Sequence, residues 1–133
     1  MDLNNPVIQL CLAGTQAEFE NRPEAARSAY RQAWDLAQDD YEACVAAHYV
    51  ARLQSDPEVT LHWNQVALAR AEAVRDERVR SFYPSLYLNL GQSFEVLGNH
   101  AEAEKYYALA AELGFEHRRN KSSRTIAKEC STI

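Results

Sequence analysis

The chain has 133 residues, 47% of them hydrophobic and 25% charged, with a net charge of −5, four glycines and four prolines. These fractions suit a single folded domain and exclude a wholly disordered chain, a collagen-like chain and a disulfide scaffold. Scarce Gly and Pro beside many Ala, Glu, Arg and Leu predict an all-α fold of helices joined by short turns.

The opening Met1-Asp2-Leu3-Asn4-Asn5-Pro6 lacks the basic stretch and apolar run of a secretory leader, so none is expected. A first helix is predicted over 6–19, with Pro6 in its first turn, where a missing N–H costs nothing. Asn21-Arg22-Pro23-Glu24 reads as a capping box and starts a second helix over 23–38. A third follows over 40–54. Ser55-Asp56-Pro57-Glu58 repeats the box ahead of a fourth helix over 57–74. The fifth, 77–97, carries an apolar stripe at Leu86, Tyr87, Leu90, Phe94 and Leu97, and Pro84 should kink or restart it. The sixth, 100–113, carries Ala103, Tyr106, Tyr107, Ala110 and Leu113. Gly98-Asn99 and Gly114 sit where helices stop. No run of about 18 apolar residues occurs, so no membrane span is predicted.

The two capping boxes lie 34 residues apart, a spacing that points to internal repeats. Aligning Asn21-Arg22-Pro23-Glu24-Ala25-Ala26 with Gly98-Asn99-His100-Ala101-Glu102-Ala103 superposes the first and third units. Tyr30 and Ala33 then fall on Tyr107 and Ala110, and Gly14 on Gly91. On these residues the sequence resembles the tetratricopeptide repeat family, whose pattern is W-x2-LG-x2-Y followed by A-x3-F-x2-A. The third unit matches at Tyr87, Leu90, Gly91, Phe94, Ala103, Tyr107 and Ala110. The first matches at Gly14, Ala26, Tyr30 and Ala33. In the second, His48 replaces the glycine, Thr60 the small alanine and Asn64 the aromatic, while Ala67 fits. Nine extra residues around 75–85 separate the second unit from the third. The resemblance spans about residues 6–114 and implies a right-handed superhelix of about six antiparallel helices, with residues 115–133 as a tail or short capping helix.

The resemblance also implies a groove lined by the first helix of each pair, where a peptide or protein segment binds. By register its positions are Cys11, Thr15 and Glu18; Val45, Tyr49 and Arg52; Leu88, Gln92 and Glu95, with Asn89 beside them. The candidate contacts are Tyr49, Arg52, Asn89, Gln92, Glu95, Thr15 and Glu18, because Arg offers a planar fork and Asn or Gln can bond a peptide backbone in either direction. The family's carboxylate clamp for chaperone tails falls here on Cys11, Thr15, Ala46, Ser85 and Asn89, none of them cationic, which disfavours that ligand. The implied function is a cytoplasmic protein-interaction adaptor. The alternative is a regulatory sensor for a small molecule or signalling peptide, which a closed aromatic pocket around Tyr49 and Tyr87 would favour.

No phosphate-binding glycine loop, GxSxG or HExxH motif is present, so no enzyme activity, cofactor or metal is expected. His48 reads as a satisfied, partly buried helix residue and Trp63 as a cover for a neighbouring helix. Cys11 and Cys44 read as small apolar fillers, and three cysteines without a CxxC pair suit a reducing compartment. Residues 115–133 carry +3 and the other 114 carry −8. Five cations without interleaved aromatics make nucleic acid an unlikely partner. If the tail leaves Tyr106, Leu109 and Leu113 uncovered, a second copy of the chain is a candidate cover, giving a homodimer through the C-terminal helices.

Overall fold

A computed structural model describes residues 3–74 and 77–115. Among them the chain forms six α-helices and no strand: α1 (Pro6–Phe19), α2 (Pro23–Leu36), α3 (Asp40–Val50), α4 (Pro57–Ala73), α5 (Tyr83–Val96) and α6 (His100–Ala110). The all-α expectation and the six helix positions hold. Helix α1 packs on α2, α3 on α4 and α5 on α6, and α2·α3 and α4·α5 join the pairs into one continuous stack. The basic segment expected over 115–133 lies almost wholly outside the described residues.

Polar side chains start four of these helices. Asn5 Oδ1 accepts from the Val7 and Ile8 amides, while its Nδ2 donates to Glu42 at 2.8 Å and ties the start of α1 to α3. Asp39, Asp56 and Asn99 cap α3, α4 and α6. Two capping expectations need correction. Asp56 caps α4 in place of Ser55, and Asn21 does not cap α2, whose N-cap is Arg22 without a side-chain bond. Asn21 instead ends α1 in the left-handed region at φ 59°, and the Asn21 and Arg22 amides donate to the Glu18 and Ala17 carbonyls. Gly98 does the same after α5 at φ 81°, with the Gly98 and Asn99 amides donating to Glu95 and Phe94. Both are helix stops that only Gly or Asn adopts readily.

The pairs approach closely because a glycine faces a tyrosine. A Cβ on Gly14 would overlap the Tyr30 ring, and one on Gly91 would lie 2.6 Å from Tyr107 Cε1. The core runs through α3, where every residue from Ala43 to Ala51 is buried. Trp34 and Trp63 meet edge to face at 5.0 Å between α2 and α4, with Arg31 over Trp63, so Trp63 does cover a neighbouring helix. The extra residues before α5 form a 3₁₀ segment over 77–82 that buries Val79 and Phe82. Pro84, in the first turn of α5, restarts the chain there as expected, so the α-helical part of the segment expected over 77–97 begins at Tyr83.

Candidate functional site

Helix α3 ends differently from its counterparts. It tightens into a 3₁₀ turn over Ala51–Leu53, and Gln54 is extended at φ −86°, ψ 135°, with no left-handed stop. A cavity of about 320 Å³ lies against this ending, walled also by the start of α4 and the second half of α5. Ala51, Pro57 and Val96 are its non-polar lining residues. The other nine are polar, among them His48, Arg52, Asn64, Asn89, Gln92 and Ser93, and none is a carboxylate.

His48 is 1% exposed, buried more completely than expected. Asn89 Nδ2 lies 3.4 Å from its Nδ1, a contact whose donor and acceptor follow the His48 tautomer. The His48 Nε2 is buried without a hydrogen-bond partner. Burial first, and the Arg52 charge second, pull its pKa down to about 4, so the ring is neutral at physiological pH. Behind it, Asn64 Nδ2 donates to Ser93 Oγ at 2.9 Å in a buried link from α4 to α5.

Arg52 is held from the opposite side. Its Nε and Nη2 donate to the two Glu18 carboxylate oxygens at 3.1 and 3.2 Å, and Tyr30 Oη also donates to Glu18. The Arg52 fork expected to meet a partner's carboxylate is therefore occupied within the chain. Desolvation opposes the Arg52 charge, and the Glu18 contacts outweigh it and raise the pKa. Nη1 remains buried without a partner.

The structure divides the candidate contacts. Arg52, Asn89 and Gln92 come together on the cavity wall. Thr15 and Glu18 sit half-buried at the α1–α2 contact, Thr15 Oγ1 donating to the Cys11 carbonyl at 3.0 Å. Glu95 is exposed and accepts from Tyr107 Oη at 2.7 Å. Tyr49 is corrected outright: it is 4% exposed, packed between Tyr30 at 5.4 Å and His48 at 5.3 Å, and reaches no surface. Cys11, Val45 and Leu88, assigned to the groove by register, are core residues as well. Burial pushes the thiols of Cys11 and Cys44 up to about 12, which makes both inert fillers. Tyr87 leans on Tyr83 and Tyr106, away from Tyr49, so these two tyrosines do not share a pocket.

Register missed Asn64, Ser93 and Thr60 as cavity residues. The visible signal was that the second unit breaks the repeat at both His48 and Asn64. Among the described residues no three His, Cys, Asp or Glu side chains gather as a metal site would require, and no helix is long and apolar enough to cross a membrane. No protein-family model, curated protein or solved structure matches the chain.

Proposed function

We propose that the chain is a tetratricopeptide-like interaction module, its helix pairs stacked as a right-handed superhelix, that binds a peptide or protein segment. The observation carrying this reading is that Arg52, Asn89 and Gln92, all among the expected contacts, line one cavity. Support for the repeat comes from the Gly14–Tyr30 and Gly91–Tyr107 contacts, which recur at the same offset in the first and third units. Polar groups fixed on packed helices lose little freedom on binding, so even a few contacts yield useful affinity. We assign it no catalytic step and place it in the cytoplasm, where its two buried thiols stay reduced.

The test is selection of short peptides from a random display library on the full-length protein. Peptides enriched on the wild type should lose affinity at least about tenfold with Asn89→Ala plus Gln92→Ala. Failure to enrich any peptide, or equal binding by the double variant, removes the proposal. The sensor reading keeps one specific support, the position of the cavity where three helices meet. It predicts a change in the radius of gyration on ligand binding, measured by small-angle scattering. Leu113, 49% exposed just after the last helix, belongs with Tyr106 and Leu109 to the candidate dimer face. Sedimentation as monomer alone at high micromolar concentration removes that part.

A further inference from the structure

Helix α1 is the first described helix, yet it has the composition of a central one. From Pro6 to Phe19 only Glu18 is charged, and Glu18 turns inward to Tyr30 and Arg52. The outward side of α1 is a row of uncharged residues: Pro6, Gln9, Leu12, Ala13, Gln16 and Phe19. All six are exposed, Leu12 to 44% and Phe19 to 84%.

The same register positions are covered in the other two units. On α3 they are Ala43, Ala46, Ala47 and Val50, all buried, and Val50 lines a cavity together with Arg27 and Arg31 of α2. On α5, Leu86, Leu90 and Ser93 are buried, and Ser93 Oγ accepts from Asn64 of α4. In each case the second helix of the preceding unit supplies the cover. The row on α1 has the same place and no cover among the described residues, so a helix is the shape that fits it.

Charge and pattern indicate which helix. Each chain carries −5, so two copies repel unless the faces that meet are uncharged. The α1 row meets that condition, and the flanking Glu20 is paired with Arg22. The row is also its own complement when run antiparallel about a point between Leu12 and Ala13. Leu12 then faces the partner's Ala13, Gln9 the partner's Gln16 and Phe19 the partner's Pro6, so large meets small and amide meets amide. Gln9 donates one N–H to the Leu3 carbonyl at 3.2 Å, and Gln16 one to Glu20 at 3.0 Å. Each keeps a carbonyl oxygen and a second N–H for the facing amide.

We propose that α1 is a homodimer interface, in which two copies pair their first helices antiparallel across a two-fold axis beside Leu12 and Ala13. This face is separate from the C-terminal one around Leu113, and it does not rest on the interaction-module reading.

Sedimentation equilibrium of the full-length protein tests it. A monomer–dimer equilibrium with Kd of about 100 µM or tighter is expected, since one helix pair is a small interface. Monomer alone at high micromolar concentration overturns the proposal, and so does growth beyond the dimer, which a head-to-tail contact would produce. Leu12→Glu should weaken the dimer at least about tenfold, and Phe19→Glu at least about threefold. Both positions are exposed, so melting temperatures at low micromolar concentration should stay at the wild-type value, which separates lost pairing from lost folding. Leu113→Glu should leave the dimer intact. A dimer that Leu113→Glu abolishes and Leu12→Glu spares belongs to the C-terminal face and overturns the α1 assignment.

The register has its own test. With Gln9→Lys and Gln16→Glu in one chain, the antiparallel pairing sets lysine against glutamate twice and should hold the dimer at low salt as tightly as wild type or tighter. A pairing of like positions would set lysine against lysine. Weaker association of the double variant therefore overturns the antiparallel arrangement.

Discussion

The outer two helix pairs and the middle pair solve one packing problem in opposite ways. In the first and third, a glycine faces a tyrosine sixteen residues later, whose hydroxyl donates to a glutamate four residues after the glycine: Gly14, Tyr30, Glu18 and Gly91, Tyr107, Glu95. Both first helices then stop on a left-handed residue, Asn21 or Gly98. At the matching places the middle pair has His48, Asn64 and Arg52, and its first helix ends in a 3₁₀ turn. The large and small side chains have changed helices. A tyrosine fills its space with ring carbons and sends its one polar atom to a fixed partner. A histidine and an asparagine leave nitrogen and oxygen atoms to be satisfied, and the cavity lies among them. Regular units hold the stack together, and the irregular one supplies its polar opening.

If the exchange is compensatory, undoing half of it should cost far more than undoing both halves. His48→Gly deletes a fully buried ring inside a helix and is expected to destabilise by about 4 kcal/mol, the sum of a large-to-small core change and a helix glycine. Asn64→Tyr alone overfills the site and should cost about 2 kcal/mol. The double variant recreates the outer pattern. Denaturant unfolding should show a coupling of at least about 1 kcal/mol between the two sites, and strict additivity would sink the comparison.

The outer pairs can be broken at their glycines. Gly14→Ala forces a methyl group into the buried Tyr30 ring and is expected to cost about 2–3 kcal/mol. Gly91→Ala, against the looser Tyr107 contact, should cost about 1 kcal/mol less. Melting temperatures of the two variants check the order.

Acid should act on the middle pair through His48. Its folded pKa of about 4 lies below the ordinary 6.5, so between those values the unfolded chain binds the extra proton. The stability contributed by the neutral ring is complete above pH 6.5 and is lost as pH falls toward 4. The loss from this group is expected to reach about 2 kcal/mol at pH 5. Unfolding of wild type and His48→Phe at pH 7 and pH 5 isolates it, and an equal drop in both shows that other groups carry the acid sensitivity.

The helix boundaries were legible because period and punctuation agree at Pro6, Pro23, Pro57 and Gly98. The groove was read less well, and α3 explains why. A repeat register assigns Val45 and Tyr49 to an exposed face, yet Ala43 to Ala51 carries no charged side chain, and its polar groups are confined to the His48 ring and the Tyr49 hydroxyl. A helix apolar on all sides is a central helix, and that signal outweighs register. The 3₁₀ turns over 51–53 and 77–82 left no such trace, since both segments have ordinary helical composition and are set by how the pairs meet. The Arg52–Glu18 pair was hidden for a related reason: the register put both residues in the groove, but their pairing depends on how one helix pair stacks on the next.

That pair also separates the two outer units, and the expected effect is the smallest of the set. Glu18 accepts from Tyr30 Oη and from two nitrogens of Arg52, all about one-fifth exposed or less, whereas Glu95 is exposed and accepts from Tyr107 Oη. Glu18→Gln keeps the shape but removes the charge facing a half-buried guanidinium, and is expected to cost about 1 kcal/mol after allowing for solvent screening. Glu95→Gln retains an acceptor for its tyrosine and should cost less than about 0.5 kcal/mol. Arg52→Ala would leave Glu18 without its cation, so its effect on binding cannot be read apart from stability, and the rim residues Asn89 and Gln92 are the cleaner probes. Salt gives the last discrimination. Raising ionic strength should narrow the gap between wild type and Glu18→Gln and leave Glu95→Gln unchanged, because only the first removes an ion pair. A gap that stays constant with salt would mean that Glu18 acts through its hydrogen bond to Tyr30 and not through the Arg52 ion pair.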